Sequence, residues 1–415
     1  MTLWGINMKQ NFNKLRLKIN SNSLFLFSYF LYILAEVFDS SYVGEMLPAN
    51  IRRGMKGIII LLLLLQLFFK KRYIKRIFFR YLLLCCLAIL VALFSKEPNV
   101  LVVVLLLLTC SDIKIDSIIN ISLYTMLASF SSVVLLSIIG VLPDLVYSHY
   151  SIMTHSSIQA HSYGFRYYST PAFLILFMSF SFLYKHKNLK TMVICLLANG
   201  ISYYVFTAKL PFFCFIIFLG LNITFKLNNK KIIRMINIQI LPIVPFALAI
   251  LIYILSKYYN NFGNLGMILN SLLSGRLEQG SIGLSMNRIN ILGNYFEMVG
   301  RYSLTYSELL SINNHFYIDS DYLYMILHYG IIYSTFIIFC YSVAIRKYVL
   351  TNNIYMLSWI ISVIFFAVVN WCLHNIEYNP LLFIGFETLL EGKQKSFQFK
   401  LQSKKEELYE FQIYQ

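Results

Sequence analysis

Long uninterrupted apolar runs constrain this chain more than any other feature. They include GIIILLLLLQLFF at 57–69, VLVVVLLLLTC at 100–110 and LPIVPFALAILIYIL at 241–255. A helix of about 20 apolar residues spans a bilayer. Inside lipid the backbone must satisfy its own hydrogen bonds, which leaves helices or closed barrels. Barrel strands alternate apolar and polar residues, and these runs do not. The sequence therefore predicts an all-α polytopic membrane protein, a single integral membrane domain over 1–415. Composition agrees: 58% of residues are hydrophobic and only 13% charged, about half the charge of an ordinary soluble chain.

About twelve transmembrane helices are expected, at 22–38, 54–69, 77–94, 98–110, 117–142, 168–184, 191–206, 210–225, 238–256, 320–343, 354–372 and 377–391. The run at 98–110 is short, which fits a tilted or re-entrant segment. The net charge of +17 raises the question of nucleic acid, but its placement answers it. Most of the 35 Lys and Arg residues fall in both tails and in the even-numbered connections, as in KKRYIKRIFFR at 70–80 and KLNNKKIIR at 226–234. That is the positive-inside pattern. It predicts two cytoplasmic termini, a cytoplasmic tail at 392–415 and a lipid bilayer, not nucleic acid, as the surroundings. The seven cysteines, Cys85, Cys86, Cys110, Cys195, Cys214, Cys340 and Cys372, sit in or beside apolar spans and read as small buried hydrophobes. The first apolar run lacks a small-residue cleavage site and reads as a retained anchor.

This orientation puts two long connections outside. One covers 143–167. The other, 257–319, is a large extracytoplasmic loop, long enough to suggest function. In it Ile282, Met286, Ile289, Phe296 and Val299 recur at near-helical spacing, predicting short amphipathic helices on the membrane surface. Three histidines, His149, His155 and His161, recur every six residues. On a helix that spacing turns through 600°, so the rings diverge, and nothing nearby reads as a strand. No metal site is expected. Glycine-rich phosphate loops, nucleophile elbows and HExxH elements are missing from the sequence, so neither a cofactor nor nucleotide chemistry is expected.

Few cations lie on the outer side. Arg276 and Arg288 fall in the long loop, flanked by Lys257 and Arg301; Arg166 closes the first loop, and Lys209 sits in the turn TAKLP. Arginine suits phosphate because its planar fork makes paired hydrogen bonds, although each of these side chains also fits contact with lipid headgroups. The long loop leads into DSDYLYMILHYG at 319–330. Asp319 and Ser320 suit a helix N-cap and Asp321 its first turn. A carboxylate there also suits proton abstraction from an attacking hydroxyl. His315 is a further candidate because imidazole titrates near neutrality. His328 reads as a structural polar residue and Gly330 as a point of close helix contact. His374 and Glu377, in HNIEYN, fit either sugar contact or a helix cap.

The layout resembles the Wzy-type O-antigen and capsular polysaccharide polymerases and the related O-antigen ligases, in which a large outer loop precedes a helix opening DNxYLxxLxxYG in many capsule polymerases. Asp319, Tyr322, Leu323, Tyr329 and Gly330 fall on that form, with Ser320 for Asn and Ile326 for Leu. LLSGRL at 272–277 looks like the SGR element of such polymerases, SYGFRYYSTP at 162–171 like their Gly-Phe…Pro-Asn segment with Ala172 for Asn, and TAKLP like a shortened T-x-S-R turn with Lys209 for Arg. The resemblance implies a metal-independent glycosyltransferase at the outer face of the bacterial plasma membrane, joining undecaprenyl-diphosphate-linked oligosaccharide repeat units for capsule or O-antigen. Arg288 and Arg276 would bind the leaving diphosphate, with Arg166 or Lys209 as a third ligand. Asp319 would be the base, with Asp321 or His315 as the alternative. A chain-length regulator and a flippase are implied as partners. A lipid-linked oligosaccharide flippase, a ligase and a non-catalytic scaffold are the competing readings. The flippase is disfavoured because no internal repeat is evident, and Asp319 in place of the ligase histidine leans toward polymerase.

Overall fold

The structure, a computed structural model, describes residues 21–69, 75–111, 113–151, 156–227, 240–298 and 317–390. His315, Arg301, Val299, His155 and the tail at 392–415 lie outside the described residues.

The chain is mostly helical. It begins with α1 (Ser21–Asp39), α2 (Tyr42–Met46), α3 (Ala49–Phe69), α4 (Lys75–Ser95), α5 (Asn99–Thr109) and α6 (Ile115–Ile138). After a hairpin come α7 (Thr170–Lys185), α8 (Leu189–Phe206) and α9 (Lys209–Leu227). Then follow α10 (Val244–Lys257), α11 (Gly263–Leu272) and α12 (Arg276–Met286). The last part holds α13 (Asp321–Tyr324), α14 (Gly330–Leu350), α15 (Ile354–Phe366) and α16 (Leu381–Leu390). Among the described residues, five helices are long and apolar enough to cross a membrane, or six if the pair Leu241–Lys257 and Tyr259–Leu272, bent by 78°, counts as one span. α5 has 11 residues, about 16 Å at the α-helical rise, and is packed between α3 and α4 with most of its side chains buried.

The connection at 143–167 differs from expectation. Val146–Ser151 (β1) and Ser156–His161 (β2) pair antiparallel, with Val146 opposite His161 and His149 opposite Ile158. VYSHYS has no apolar–polar alternation, because Tyr147 follows Val146 and His149 follows Ser148, so the period-two strand signal is missing from the sequence. Beyond the hairpin, Ser41 bridges Phe165, and the N–H of Tyr42 donates to Gly164 O, which ties this connection to α2.

The long connection also departs from the surface-helix expectation. The helical pattern stops at Met286. Ile289 and Phe296 lie in a stretch without helix, because Gly293 takes φ +89° and the backbone there serves another element. α12 packs against α10. At Gly280 a Cβ would press into Ser256 and Leu323.

The helix expected from 320 is interrupted. α13 runs into a π-helical turn, Met325–Tyr329, and the chain breaks at Gly330, whose φ of +83° is accessible to glycine and few others. A break there frees backbone groups that need partners. The stretch 290–294 supplies them: Ile331 N–H donates to Asn290 O at 3.1 Å, Ile332 N–H to Ile291 O at 3.3 Å, and Asn294 N–H to His328 O at 3.1 Å. Gly293 and Gly330 face each other so closely that a Cβ on either would collide with the other's backbone segment. The sequence expectation of close contact at Gly330 is therefore met by an extended segment, not by a helix.

Candidate functional site

The ends of α1 and α15, the start of α5, and the approach to α13 meet at one end of the bundle. There α15 stops at Phe366, short of the 372 expected, and 367–380 forms an irregular loop before α16. The loop is fixed from several helices. Tyr341 OH donates to Leu373 O at 2.9 Å, Asn379 Nδ2 to Tyr341 OH at 2.7 Å, Tyr29 OH to Ile376 O at 2.7 Å, and Trp371 Nε1 to Ile318 O at 2.7 Å.

Asp321 is the centre of this arrangement. It is fully buried. Its N–H donates to Ala367 O at 2.9 Å. One carboxylate oxygen accepts from the N–H groups of Cys372 and Leu373, at 2.8 and 2.5 Å. The other lies 2.7 Å from His374 Nδ1. Asp321 is thus no helix cap. Ser320 holds the N-cap position without a side-chain cap bond, and the carboxylate instead organises a loop some fifty residues away. A carboxylate only accepts, so Nδ1 of His374 carries a proton, and in the neutral ring Nε2 keeps its lone pair. The imidazole lies between Tyr324 and Tyr329, at ring-centroid distances of 5.7 and 5.3 Å. Burial works against charge on His374, but the Asp321 carboxylate and its hydrogen bond outweigh that, and the pKa is raised above the ordinary histidine value.

His374 lines a cavity of about 240 Å³. Four carboxylates, Glu36, Asp39, Glu97 and Glu377, share its wall, with Tyr324, Tyr329 and Trp371 forming much of the remainder. Lys56 Nζ pairs with Glu36 at 3.2 Å and donates to Asn99 Oδ1 at 2.8 Å. Arg52 pairs with Asp39 at 3.0 Å. Glu377 is 5% exposed and accepts from Tyr32 OH at 3.2 Å. Burial, reinforced by the charge of Glu36, pushes its carboxyl up to about 8. Burial also raises Glu97, with Lys56 opposing. The sequence singled out His374 and Glu377 but left their role open. Glu36, Asp39 and Glu97 were missed, each looking like an ordinary span-end charge. Their common signal is position, since all three flank apolar runs on the side assigned as outer.

Of the remaining candidates, Arg276 and Asp319 come together: Arg276 Nη2 lies 3.2 Å from Asp319. The guanidinium also donates from Nε to Val369 O at 2.7 Å and from Nη1 to Leu273 O at 3.1 Å. It is placed by the turn Ser274–Gly275, both at positive φ, and by Asn270 Oδ1, which accepts from the N–H groups of Leu277 and Glu278 at the start of α12. Burial raises the Asp319 carboxyl above its ordinary range, with Arg276 opposing. Asp319 is not among the residues lining the cavity. Arg166 faces Glu45 at 3.4 Å, while Arg288 and Lys209 are exposed. No ion pair or hydrogen bond gathers Arg288, Arg166 and Lys209 around Arg276 among the described residues.

His328 is buried among Tyr324, Phe296 and Tyr329. Among the described residues, no group of three His, Cys, Asp or Glu side chains could hold a metal ion.

No family model matches the chain, and neither a curated protein nor a solved structure matches it.

Proposed function

We propose that this protein is a polysaccharide polymerase of the outer face of the bacterial plasma membrane, joining oligosaccharide repeat units carried on undecaprenyl diphosphate, and that His374 is its base. The observation that carries this reading is the Asp321–His374 pair beside a cavity. A buried carboxylate fixes the tautomer and orientation of an imidazole, whose free nitrogen is then available to a substrate hydroxyl.

In the proposed step, an acceptor hydroxyl in the cavity gives its proton to His374 Nε2 while its oxygen bonds to the anomeric carbon of the donor sugar. The bond from that carbon to the diphosphate oxygen breaks, and its electrons leave with the lipid diphosphate. Developing charge on the leaving group needs fixed positive charge. Arg276 is the cation best placed for it. Its partner Val369 lies two residues before Trp371 of the cavity wall, and Asp319 now holds the position a phosphate oxygen would take. Arg288, Arg166 and Lys209 remain proposed as secondary contacts, with Arg166 released from Glu45 on binding.

The test is polymer formation by purified protein in vesicles supplied with lipid-linked repeat units, without nucleotide sugar. Polymer with the wild-type protein, and its loss in His374→Ala and Asp321→Asn at normal expression, are the expected results. Full polymerisation by His374→Ala removes the histidine as base. Movement of unextended lipid-linked units across the bilayer, with no polymer, favours the flippase reading.

A further inference from the structure

The cavity is acidic on a scale that a neutral sugar does not require. Glu36 and Asp39 each have a cation, Lys56 and Arg52. Glu97 and Glu377 have no ion-pair partner among the described residues, although both line the same cavity and only Glu97 has Lys56 near it. Carboxylates without counter-charge in a low-dielectric site are costly, and something that enters must either neutralise them or find them protonated. A second, independent feature faces the same space: His374, 8% exposed, has its Nδ1 committed to Asp321 and no partner at Nε2 among the described residues. Glu97 and the neutral ring of His374 thus offer acceptors, as does Glu377 once ionised, and they suit a ligand rich in donors.

Size narrows the ligand further. At about 240 Å³ the cavity lies below the roughly 300–1,000 Å³ typical of drug-sized ligands, so it suits one sugar ring and not an oligosaccharide. Phosphate is repelled by this wall, which separates the cavity from the part of the substrate that Arg276 is proposed to hold.

We propose that the cavity selects an acceptor sugar bearing a free, protonated amine, with the ammonium between Glu97 and Glu377. This inference rests on the polymerase reading for the word acceptor, but the charge preference stands on the cavity alone. An ammonium supplies three donors and one positive charge, which meets the Glu97 carboxylate and favours ionisation of Glu377 as it binds. An N-acetylated sugar offers a single amide N–H, no charge and a bulkier group.

The experiment is binding, not turnover. Full-length protein in detergent at pH 7 is titrated with methyl glucosaminide and with its N-acetylated counterpart, followed by Trp fluorescence and by thermal shift. The amine is expected to bind at least ten-fold tighter. Glu97→Gln and Glu377→Gln each reduce amine affinity about ten-fold and leave the weak N-acetyl binding unchanged. Equal affinity for the two sugars, no binding of either, or unchanged amine affinity in both folded Gln variants overturns the proposal. Should a variant not fold, the two-sugar comparison in the unaltered protein decides alone. An amine preference without any polymer formation leaves this inference standing and removes the polymerase reading; polymer formation with no amine preference does the reverse.

Discussion

Asp321 and His374 are 53 positions apart in the chain and 2.7 Å apart at their side chains. The same carboxylate accepts two backbone N–H groups of the loop that carries the histidine. One residue thus sets both the loop and the tautomer, which ties stability and chemistry to a single carboxylate.

Asp321→Asn is expected to be costly in both. An amide there can keep its oxygen on the N–H groups of Cys372 and Leu373, but its NH2 then faces His374 Nδ1, which reverses the tautomer and leaves at least one buried donor unpaired. The loss of stability should be about 3 kcal/mol, in the range for breaking a buried charged network. His374→Ala leaves those two backbone bonds in place and should cost less in thermal unfolding, while lowering turnover by about 10²–10⁴-fold, the usual weight of a general base. The difference between the two melting temperatures in detergent checks the first point and vesicle polymerisation the second.

Asp319→Asn separates two candidate bases. The sequence points to Asp319, whereas the cavity points to His374. Asp319→Asn is expected to keep turnover within about ten-fold of wild type, since it loses an ion-pair partner of Arg276 and no proton acceptor. Arg276→Lys, which cannot bond Val369, Leu273 and an anion together, should raise KM for the lipid-linked donor by about ten-fold or more. A kcat and KM series on the two variants tests both outcomes.

The pH dependence has a defined sign. Glu377 titrates near 8 in the folded protein, against about 4.3 for an unperturbed glutamate. Between those values the folded state holds a proton that the unfolded chain has lost, so stability falls as pH rises through this window. The raised pKa of His374 works in the same direction, its contribution being full below the ordinary histidine value and lost as pH passes the raised one. Turnover moves oppositely, rising on the alkaline side as His374 becomes the free base. Melting curves from pH 5 to 9 should decline, and Glu377→Gln should flatten the decline.

Gly330→Ala tests the break in the helix. The substitution strains a backbone at φ +83° and drives a Cβ into the Ile291–Gly293 backbone. The two effects together should cost about 3 kcal/mol or more. Gly293→Ala should cost a similar amount, and the double variant less than the sum, because both break one contact. Thermal unfolding of the three variants measures it.

The helices were legible because apolar runs leave a membrane chain few options. Their ends were not. The run AVVNWCL at 367–373 is apolar enough to prolong α15, yet its backbone leaves the helix to serve Asp321 and Arg276, and no local signal reports a partner fifty residues earlier or ninety residues back. The hairpin at 146–161 was hidden for the opposite reason: VYSHYS lacks the apolar–polar alternation of a half-buried strand, so it looked like a loop. Within the site, DSDYLYMILHYG drew notice correctly, but the roles inside it did not follow from spacing. Asp319 and Asp321 are two residues apart, and only tertiary packing decides that one meets an arginine near the surface while the other is sealed against a histidine.

The mended break between Tyr329 and Gly330 bears on how the protein is made. Residues 290–294 emerge from the ribosome before 321–332, so the acceptors for Ile331 and Ile332 are synthesised ahead of their donors. The segment 321–350 is hydrophobic enough to enter a bilayer, yet its native form is an interrupted helix that needs an earlier stretch of chain beside it. Its lateral release into lipid as a lone straight helix would be a misfolded product. The order of synthesis, with the 290–294 segment made first, favours assembly over escape.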